Sequence, residues 1–308
     1  MGTNYITKGP IRGHAVFACA VVAAAIVYWK TLRDLAALAF SDQSYSHVAI
    51  IPAISLFLLY SERKKIFSSS EKSVGFGASV ALLGLITSWL SSRFILASDA
   101  NNILFSGALS LVCLWIGAFI ACYGVRATRA AAFPLLFLFL MVPLPTRVLG
   151  ETISLLQKGS TEIAYTAIRA MGVPVLRQGL YLSLPGLSIE VASECSGIRS
   201  SMALLITCLL ASHYFLRTKW RQLFFVLLSL PFAIVKNGIR IATLAVLSVY
   251  VDPAFLNGHL HRDGGFVFFL LVLAMLWPVL IFLQKAENRR DPPASDAPQK
   301  GRSEFAQG

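Results

Sequence analysis

Long apolar runs alternate with short polar connections along most of the chain. With about 20 apolar residues as the length of a membrane crossing, eight runs are candidate spans: residues 14–30, 46–60, 74–91, 103–123, 130–145, 196–216, 222–250 and 265–284. The second run is short and contains Pro52, so it crosses only if its helix begins near Tyr45; a re-entrant segment is its alternative. No small-residue cleavage site follows the first run, so we interpret it as a span and not as a secretory signal. The pattern therefore predicts a polytopic membrane protein.

The composition agrees with this interpretation. Of the 308 residues, 56% are hydrophobic and only 14% are charged, whereas soluble domains average about 25% charged residues. The net charge of +12 could suggest a nucleic-acid partner, but the basic residues recur as short groups between apolar runs. That distribution orients proteins in a membrane, so we expect the lipid bilayer and no nucleic acid as the environment of this chain.

The basic groups lie in alternate connections, which predicts an orientation. Lysine and arginine accumulate in cytoplasmic loops, and here they are Arg63, Lys64, Lys65, Lys72, Arg126, Arg129, Arg217, Lys219, Arg221, Lys285, Arg289 and Arg290. With eight spans both termini are cytoplasmic, and the outer face holds residues 31–45, 92–102, 146–195 and 251–264. Residues 1–285 then form a single polytopic membrane domain, and residues 286–308 are expected to be a disordered cytoplasmic tail.

The one sizeable region between spans, residues 146–195, contains two periodicities. Apolar residues at helical spacing over 148–171 predict an amphipathic helix on or near the outer membrane surface. Apolar residues then alternate with polar ones on both sides of Pro185 and Gly186, a pair that suits the centre of a type II turn. The predicted fold is thus an all-α integral membrane protein of about eight transmembrane helices, with an extracytoplasmic amphipathic helix and a short β-hairpin between the fifth and sixth.

Only one of the five cysteines, Cys195, is predicted to meet water. We expect Ser193 to cap the sixth helix and to place Cys195 in its first turn, where the helix dipole and Arg199 one turn later favour the thiolate. The other four lie inside predicted spans, where a thiol is a small hydrophobe, and they leave Cys195 no disulfide partner in the outer compartment: Cys19, Cys113, Cys122 and Cys208. Cys195 is therefore a candidate nucleophile, with packing as the alternative.

The seventh run carries Lys236, Asn237 and Arg240 in otherwise apolar sequence, and such residues are costly inside a membrane. Counted from Arg221 at the cytoplasmic edge, Arg240 lies about 28 Å along a helix, near the outer face of a core about 30 Å thick. This depth brings Arg240 to the level of Cys195. Asn237 lies three residues earlier on the same helix face and is placed to orient the guanidinium, and a snorkelling arginine is the alternative.

Two histidines, His259 and His261, lie in the predicted outer loop just before the last run. A nucleophile, a fixed cation and a titratable base at one boundary are the components of acyl transfer through a thioester. The sequence shows no zinc-ligand spacing and no Gly-rich phosphate loop, so it implies neither a metal nor a cofactor.

Three motifs closely resemble the exosortase and archaeosortase family of polytopic cysteine transpeptidases: "ECSGIRSS", "NGIRI", and the H-x-x-x-G spacing of His261 and Gly265. The likeness covers about residues 40–285 and includes "YSHVAIIPAI" and "VPLPTRVLGETISLLQ". The resemblance implies that Cys195 is the nucleophile, Arg240 the oxyanion-stabilising arginine and His261 the acid/base residue. His259 does not match the family spacing.

The resemblance also implies a substrate class. Similar proteins recognise membrane-anchored exported proteins by a C-terminal sorting signal: a short Pro-Glu-Pro motif, a transmembrane helix and a basic tail. They cleave next to the motif and pass the new carboxyl end to an acceptor, at the periplasmic face of the bacterial inner membrane, in surface sorting linked to exopolysaccharide production. The residues alone leave two alternatives open. A transporter or polysaccharide-export subunit would use Lys236 and Arg240 as substrate-path charges without needing Cys195, and a scaffold would need none of these residues.

Overall fold

A computed structural model of the chain describes residues 9–68, 73–91, 93, 99–252 and 265–290, with the backbone alone described at residues 9–12, 43, 194, 195 and 290. The described residues are mostly helical, with one small antiparallel sheet. The chain divides into two compact units, Met1–Glu151 and Thr152–Gly308. The boundary between them falls inside one helix.

The first unit is built of apolar helices. They are α1 (Gly9–Val27), α2 (Trp29–Ser41), α3 (Ile51–Ser61), α4 (Arg63–Ile66), α5 (Val74–Leu90), α6 (Ala100–Ala130), α7 (Ala132–Phe137) and the start of α8 (Thr146–Ala170). Helices α5 and α6 cross closely at two glycines, since a Cβ on Gly77 would lie 2.5 Å from the Gly117 carbonyl oxygen. Small residues allow this approach of two backbones in a membrane protein.

A cluster of polar side chains joins the N-terminal ends of α6 and α8. The Asp99 carboxylate accepts hydrogen bonds from the Asn101 backbone N–H, at 3.0 Å, and from the Thr146 hydroxyl. The Asn102 side-chain oxygen accepts from the Thr146 backbone N–H at 3.0 Å. Each helix therefore receives a side-chain acceptor at its otherwise unsatisfied first turn.

The second unit contains the remainder of α8 together with the sheet and three long helices. In chain order these are β1 (Leu176–Gln178), β2 (Tyr181–Leu184), β3 (Leu187–Glu190), α9 (Ile198–Phe215), α10 (Lys219–Tyr250) and α11 (Gly265–Arg290). The sheet packs its apolar face on α8 and on the C-terminal part of α10, and this upper core contains Leu182, Leu184, Ala164, Ile168 and Ala245. A lower core joins α9, α10 and α11 through Leu204, Cys208, Phe225, Ala233 and Val272.

The predicted β-hairpin is confirmed. Strands β2 and β3 pair across Pro185 and Gly186, and Gly186 has the positive φ of 75° that the second central position of a type II turn requires. Strand β1, which the sequence pattern did not predict, adds to β2 and gives the order β1-β2-β3.

All eight predicted runs fall on helices, but fewer have the dimensions of a full crossing. Within the described part of the chain, four helices are long and apolar enough: α6, α9, α10 and α11. The number rises to six if two bent pairs each count as one span: α1 with α2, bent by 76°, and Ala132–Met141 with α8, bent by 89°. Helices α3 and α5 are shorter apolar helices.

The structure bears on two predictions about segments between spans. Residues 31–45 were expected to connect the first two spans at the outer face, yet most of them belong to α2, whose Leu35 and Ala39 are buried one turn apart. The predicted amphipathic helix over 148–171 is confirmed as α8, and its right-angled bend from the preceding helical segment fits a helix that does not continue that span.

The C-terminal end of α11 corrects the predicted start of the tail. Residues 286–290 are helical, and Glu287 is only 8% exposed because its carboxylate caps α10. It accepts hydrogen bonds from the backbone N–H groups of Arg217 and Thr218, at 2.9 and 2.8 Å, and lies 3.8 Å from the Arg221 guanidinium. The rest of the predicted tail, 291–308, lies outside the described residues.

Candidate active site

Cys195 lies in a short 3-10 turn, Ser193–Ser196, between β3 and α9. Gly197 follows with φ of 75°, a left-handed conformation that glycine adopts without steric cost, and α9 begins at Ile198. The expected cap is therefore wrong: Gly197, not Ser193, is the N-cap residue, and it has no side chain with which to cap this helix end. The positive φ separates the 3-10 turn from the helix, so Cys195 precedes the first helical turn instead of lying within it.

The turn is packed directly on α10 at Gly197. A Cβ on Gly197 would lie 2.8 Å from Oδ1 and 2.9 Å from Cγ of Asn237, so no larger residue fits without displacement. Asn237 is 1% exposed. The chain two residues after Cys195 is thus fixed against the helix that carries Arg240.

Asn237 is held in turn by α8. Its amide nitrogen donates a hydrogen bond to the Ser160 hydroxyl at 3.0 Å, and both side chains are buried. The two helices approach closely here, because a Cβ on Gly238 would lie 2.5 Å from the Cβ of Ile163. Asn237 therefore positions the Cys195 turn relative to α8, a role beyond the expected orientation of Arg240.

A second link involves a residue that sequence reasoning left out of the site. The ammonium group of Lys236, which is 2% exposed, donates to the Ser200 hydroxyl on α9. Ser200 and Ser201 each donate to the Gly197 carbonyl oxygen at 2.9 Å. The sequence signal for Lys236 was its charge inside an apolar run, whereas Ser160 and Ser200 carried no signal, because a serine in a membrane helix is common.

Arg240 is half-buried and follows Asn237 by three residues on the same face of α10. Ile241, Ala242 and Ala245, just beyond it, already belong to the upper core, while Ala233 belongs to the lower core. The intervening level forms a polar layer of Ser160, Gly197, Ser200, Lys236, Asn237 and Arg240. This layer is where α10 passes from the helix bundle to the sheet.

The electrostatics of the polar layer favour negative charge. Lys236 and Arg240 are one helical turn apart, so two cations lie on one side of α10. The N-terminal end of α9, where the N-cap residue is a glycine, presents the positive end of its dipole next to the Cys195 turn. Preorganised cations and N–H dipoles in a largely desolvated setting stabilise a developing oxyanion.

The remaining predicted site residues are Arg199, His259 and His261. Arg199 is the second residue of α9 and is exposed, so it lies at the helix start instead of a turn deeper. His259 and His261 lie outside the described residues, as does the side chain of Cys195, so the proton-transfer geometry stays a prediction. Gly265, which completes the H-x-x-x-G spacing, is the first residue of α11.

Comparison with known proteins gives one match. A family model described as transmembrane exosortase matches residues 29–278, which include the Cys195 turn, the whole of α10 and the predicted histidine loop. None of the curated proteins and none of the solved structures matches the chain.

Proposed function

Because the chain belongs to the transmembrane exosortase family, we propose that it is a membrane-embedded cysteine peptidase and transpeptidase. Cys195 is its nucleophile, Arg240 stabilises the oxyanion, and His261 transfers protons. The observation that carries the proposal is the contact of Gly197 with Asn237, because it ties the turn that contains Cys195 to α10 within one helical turn of Arg240.

The reaction follows from these roles. His261 accepts the thiol proton, and the thiolate attacks the scissile carbonyl carbon to give a tetrahedral oxyanion facing Arg240. Collapse of this intermediate breaks the C–N bond, and the leaving amine takes its proton from His261. Water or an acceptor nucleophile then attacks the thioester carbonyl carbon and gives its proton to His261. The C–S bond breaks, and the released thiolate takes that proton back from His261.

Membrane geometry supports a substrate anchored by its own helix. Helix α10 has 32 residues and is about 48 Å long, which exceeds a hydrocarbon core of about 30 Å. If Arg221 lies at the cytoplasmic edge, the polar layer lies at the outer edge and the sheet lies beyond it. A scissile bond just outside a substrate helix would reach this level by diffusion in the membrane plane.

We propose the substrates and location that the family suggests. The substrates are exported proteins with a C-terminal Pro-Glu-Pro motif, a transmembrane helix and a basic tail, in surface sorting linked to exopolysaccharide production. The site faces the periplasm from the inner membrane. The transporter alternative uses Lys236 as a substrate-path charge, but its ammonium group donates to Ser200 beside the Cys195 turn, which favours a role in holding the site.

Processing of a reporter tests the proposal. The reporter is an epitope-tagged exported protein from the same source that ends in such a sorting signal. Cys195→Ala should leave protein level and membrane insertion normal and abolish cleavage. Cys19→Ala, at an exposed position in α1, is the matched control and should cleave normally. Normal cleavage by the Cys195→Ala variant would refute the proposal.

The histidines are separated by the same reporter. An unperturbed histidine titrates near 6.5, so either one could exchange a proton near neutral pH. We expect His261→Ala to accumulate uncleaved precursor and His259→Ala to retain most activity at matched enzyme levels. The reverse result would move the acid/base role to His259.

A further inference from the structure

Strand β3 forms one edge of the three-stranded sheet and leads directly to the Cys195 turn. Among the described strands it pairs with β2 alone, in the order β1-β2-β3. The register pairs Leu184 with Leu187, Ser183 with Ser188, Leu182 with Ile189 and Tyr181 with Glu190. The opposite side of β3 is therefore a sheet edge.

The hydrogen-bond pattern identifies which main-chain groups face that edge. Bonded and non-bonded pairs alternate along an antiparallel ladder, and the Val191 N–H donates to the Leu180 carbonyl oxygen at 3.0 Å. Leu187 and Ile189 lie four and two residues before Val191, so their N–H and C=O groups also point toward β2. Ser188 and Glu190 consequently turn theirs outward.

These outward groups are accessible. Ser188 and Glu190 are exposed, and within the described part of the chain their main-chain groups make no backbone–backbone hydrogen bond outside the sheet. The N–H and C=O groups of Ser188 and Glu190 thus provide two donors and two acceptors along the edge. They offer an antiparallel strand up to four hydrogen bonds.

The edge is continuous with the nucleophile turn. Val191 is buried, and its carbonyl oxygen accepts from the Gln157 side chain at 2.9 Å, which pins the chain to α8 where the edge ends. Ala192 is extended, with φ of −64° and ψ of 166°, and the 3-10 turn begins at Ser193. Only about 14 Å of chain separates Glu190 from Cys195 at the rises of extended and 3-10 backbone.

We propose that the substrate segment next to the scissile bond binds as a fourth strand on the β3 edge. This inference rests on the proposed function and adds the form in which the substrate is recognised. An extended polypeptide meets the edge through its main chain, as in other cases of strand addition. The site therefore takes an unfolded, extended segment, and only alternate side chains of that segment face the enzyme.

The edge is suited to this occupant rather than to a second copy of the chain. It is four residues long, and its outward positions carry a serine and a glutamate. Short, polar edges oppose lasting self-association between sheets. A substrate anchored beside the enzyme compensates for the small number of hydrogen bonds by its high local concentration.

A proline at the edge tests the proposal on the full-length protein in membranes. Ser188→Pro removes an outward N–H while keeping every ladder bond to β2, and proline is tolerated at such edge positions. We expect it to slow cleavage of the tagged reporter by about tenfold or more. Ser188→Ala keeps this N–H and is the matched variant, so it should cleave the reporter about tenfold or more faster than Ser188→Pro.

A cross-linking scan keeps the proposal testable if the proline variant fails to accumulate. Ser188→Cys is combined with Cys195→Ala, and single cysteines are placed at successive reporter residues flanking the cleavage site. Because side chains alternate across a strand, disulfides should form strongly at every second reporter position. Uniform cross-linking, or none, would overturn the edge assignment.

The outcomes separate this inference from the proposed function. If wild type cleaves the reporter and Cys195→Ala does not, the proposed function stands. Equal cleavage by Ser188→Pro and Ser188→Ala would then refute strand addition alone. Absence of Cys195-dependent cleavage would refute both.

Discussion

A single glycine determines how the Cys195 turn meets α10. Gly197 combines a left-handed φ of 75° with a packing distance to Asn237 that leaves no space for a methyl group. The left-handed backbone disfavours any other residue, because this conformation costs roughly 1–2 kcal/mol when a Cβ is present. The close packing also excludes a larger residue, because its Cβ would overlap the buried Asn237 side chain. The precision of the site therefore depends on a residue without a side chain.

Replacing Gly197 by alanine should strongly reduce activity. The added Cβ must push the turn away from Asn237, and a displacement of about 1 Å at a reacting group can cost on the order of 10²-fold in rate. Reporter cleavage measures the loss. Gly150→Ala is the control, because nothing lies within 4 Å of a Cβ at that helical position; comparable loss in both variants would contradict the role of Gly197.

Arg240 and Arg199 should respond differently to lysine. Arg240→Lys keeps the charge but loses the planar fork of donors, and removal of one oxyanion donor typically costs about 10²–10³ in rate. Arg199 is exposed at the start of α9, so Arg199→Lys leaves a solvated cation in nearly the same place. We expect only a small loss for Arg199→Lys in reporter cleavage, and equal losses would exclude Arg240 as the specific oxyanion ligand.

At the scale of elements, α10 is linked to neighbouring helices of the second unit by polar contacts near its start and in the polar layer. The polar layer links α10 to α8 and α9 near the site, and at the other end Glu287 of α11 caps the first turn of α10. Arg221 donates back to the Leu283 and Ala286 carbonyl oxygens at 3.4 Å. These contacts hold the helix that carries Arg240 at two separated points.

Loss of the Glu287 cap should destabilise the helix bundle. Glu287→Ala removes two charge-assisted hydrogen bonds and leaves Arg221 without its buried carboxylate, at an expected cost of about 3 kcal/mol. Thermal unfolding in detergent should show a clearly lower midpoint. Glu151→Ala breaks an ion pair with Arg147 in which both side chains are largely exposed, so it should change the midpoint little.

At the scale of the whole molecule, the alternation of basic connections along the chain predicts one side of the membrane for the site. An impermeant maleimide added to intact spheroplasts should modify Cys195. The other four cysteines lie on α1, α6 and α9 within predicted spans and should stay largely unreacted. If Cys195 reacts only after lysis, the site faces the cytoplasm and the proposed mechanism fails.

Sequence alone determined the features that arise from local periodicity. The α8 helix and the Pro185-Gly186 hairpin were predictable because helical and strand periods place apolar residues on one face. Lys236, Asn237 and Arg240 stood out because polar residues are costly in an apolar run. The family resemblance was likewise carried by contiguous motifs and is confirmed over residues 29–278.

Only the tertiary structure decided how these local features meet. Ser193 has the chemistry of a helix cap, but Gly197, which packs on Asn237, is the N-cap residue, so α9 begins later than predicted. Ser160 and Ser200 become partners of Asn237 and Lys236 across tens of residues, and Glu287 joins α11 to the start of α10. Such contacts depend on which faces of the helices pack together. Packing joins segments that are distant in the sequence, and no local sequence pattern encodes it.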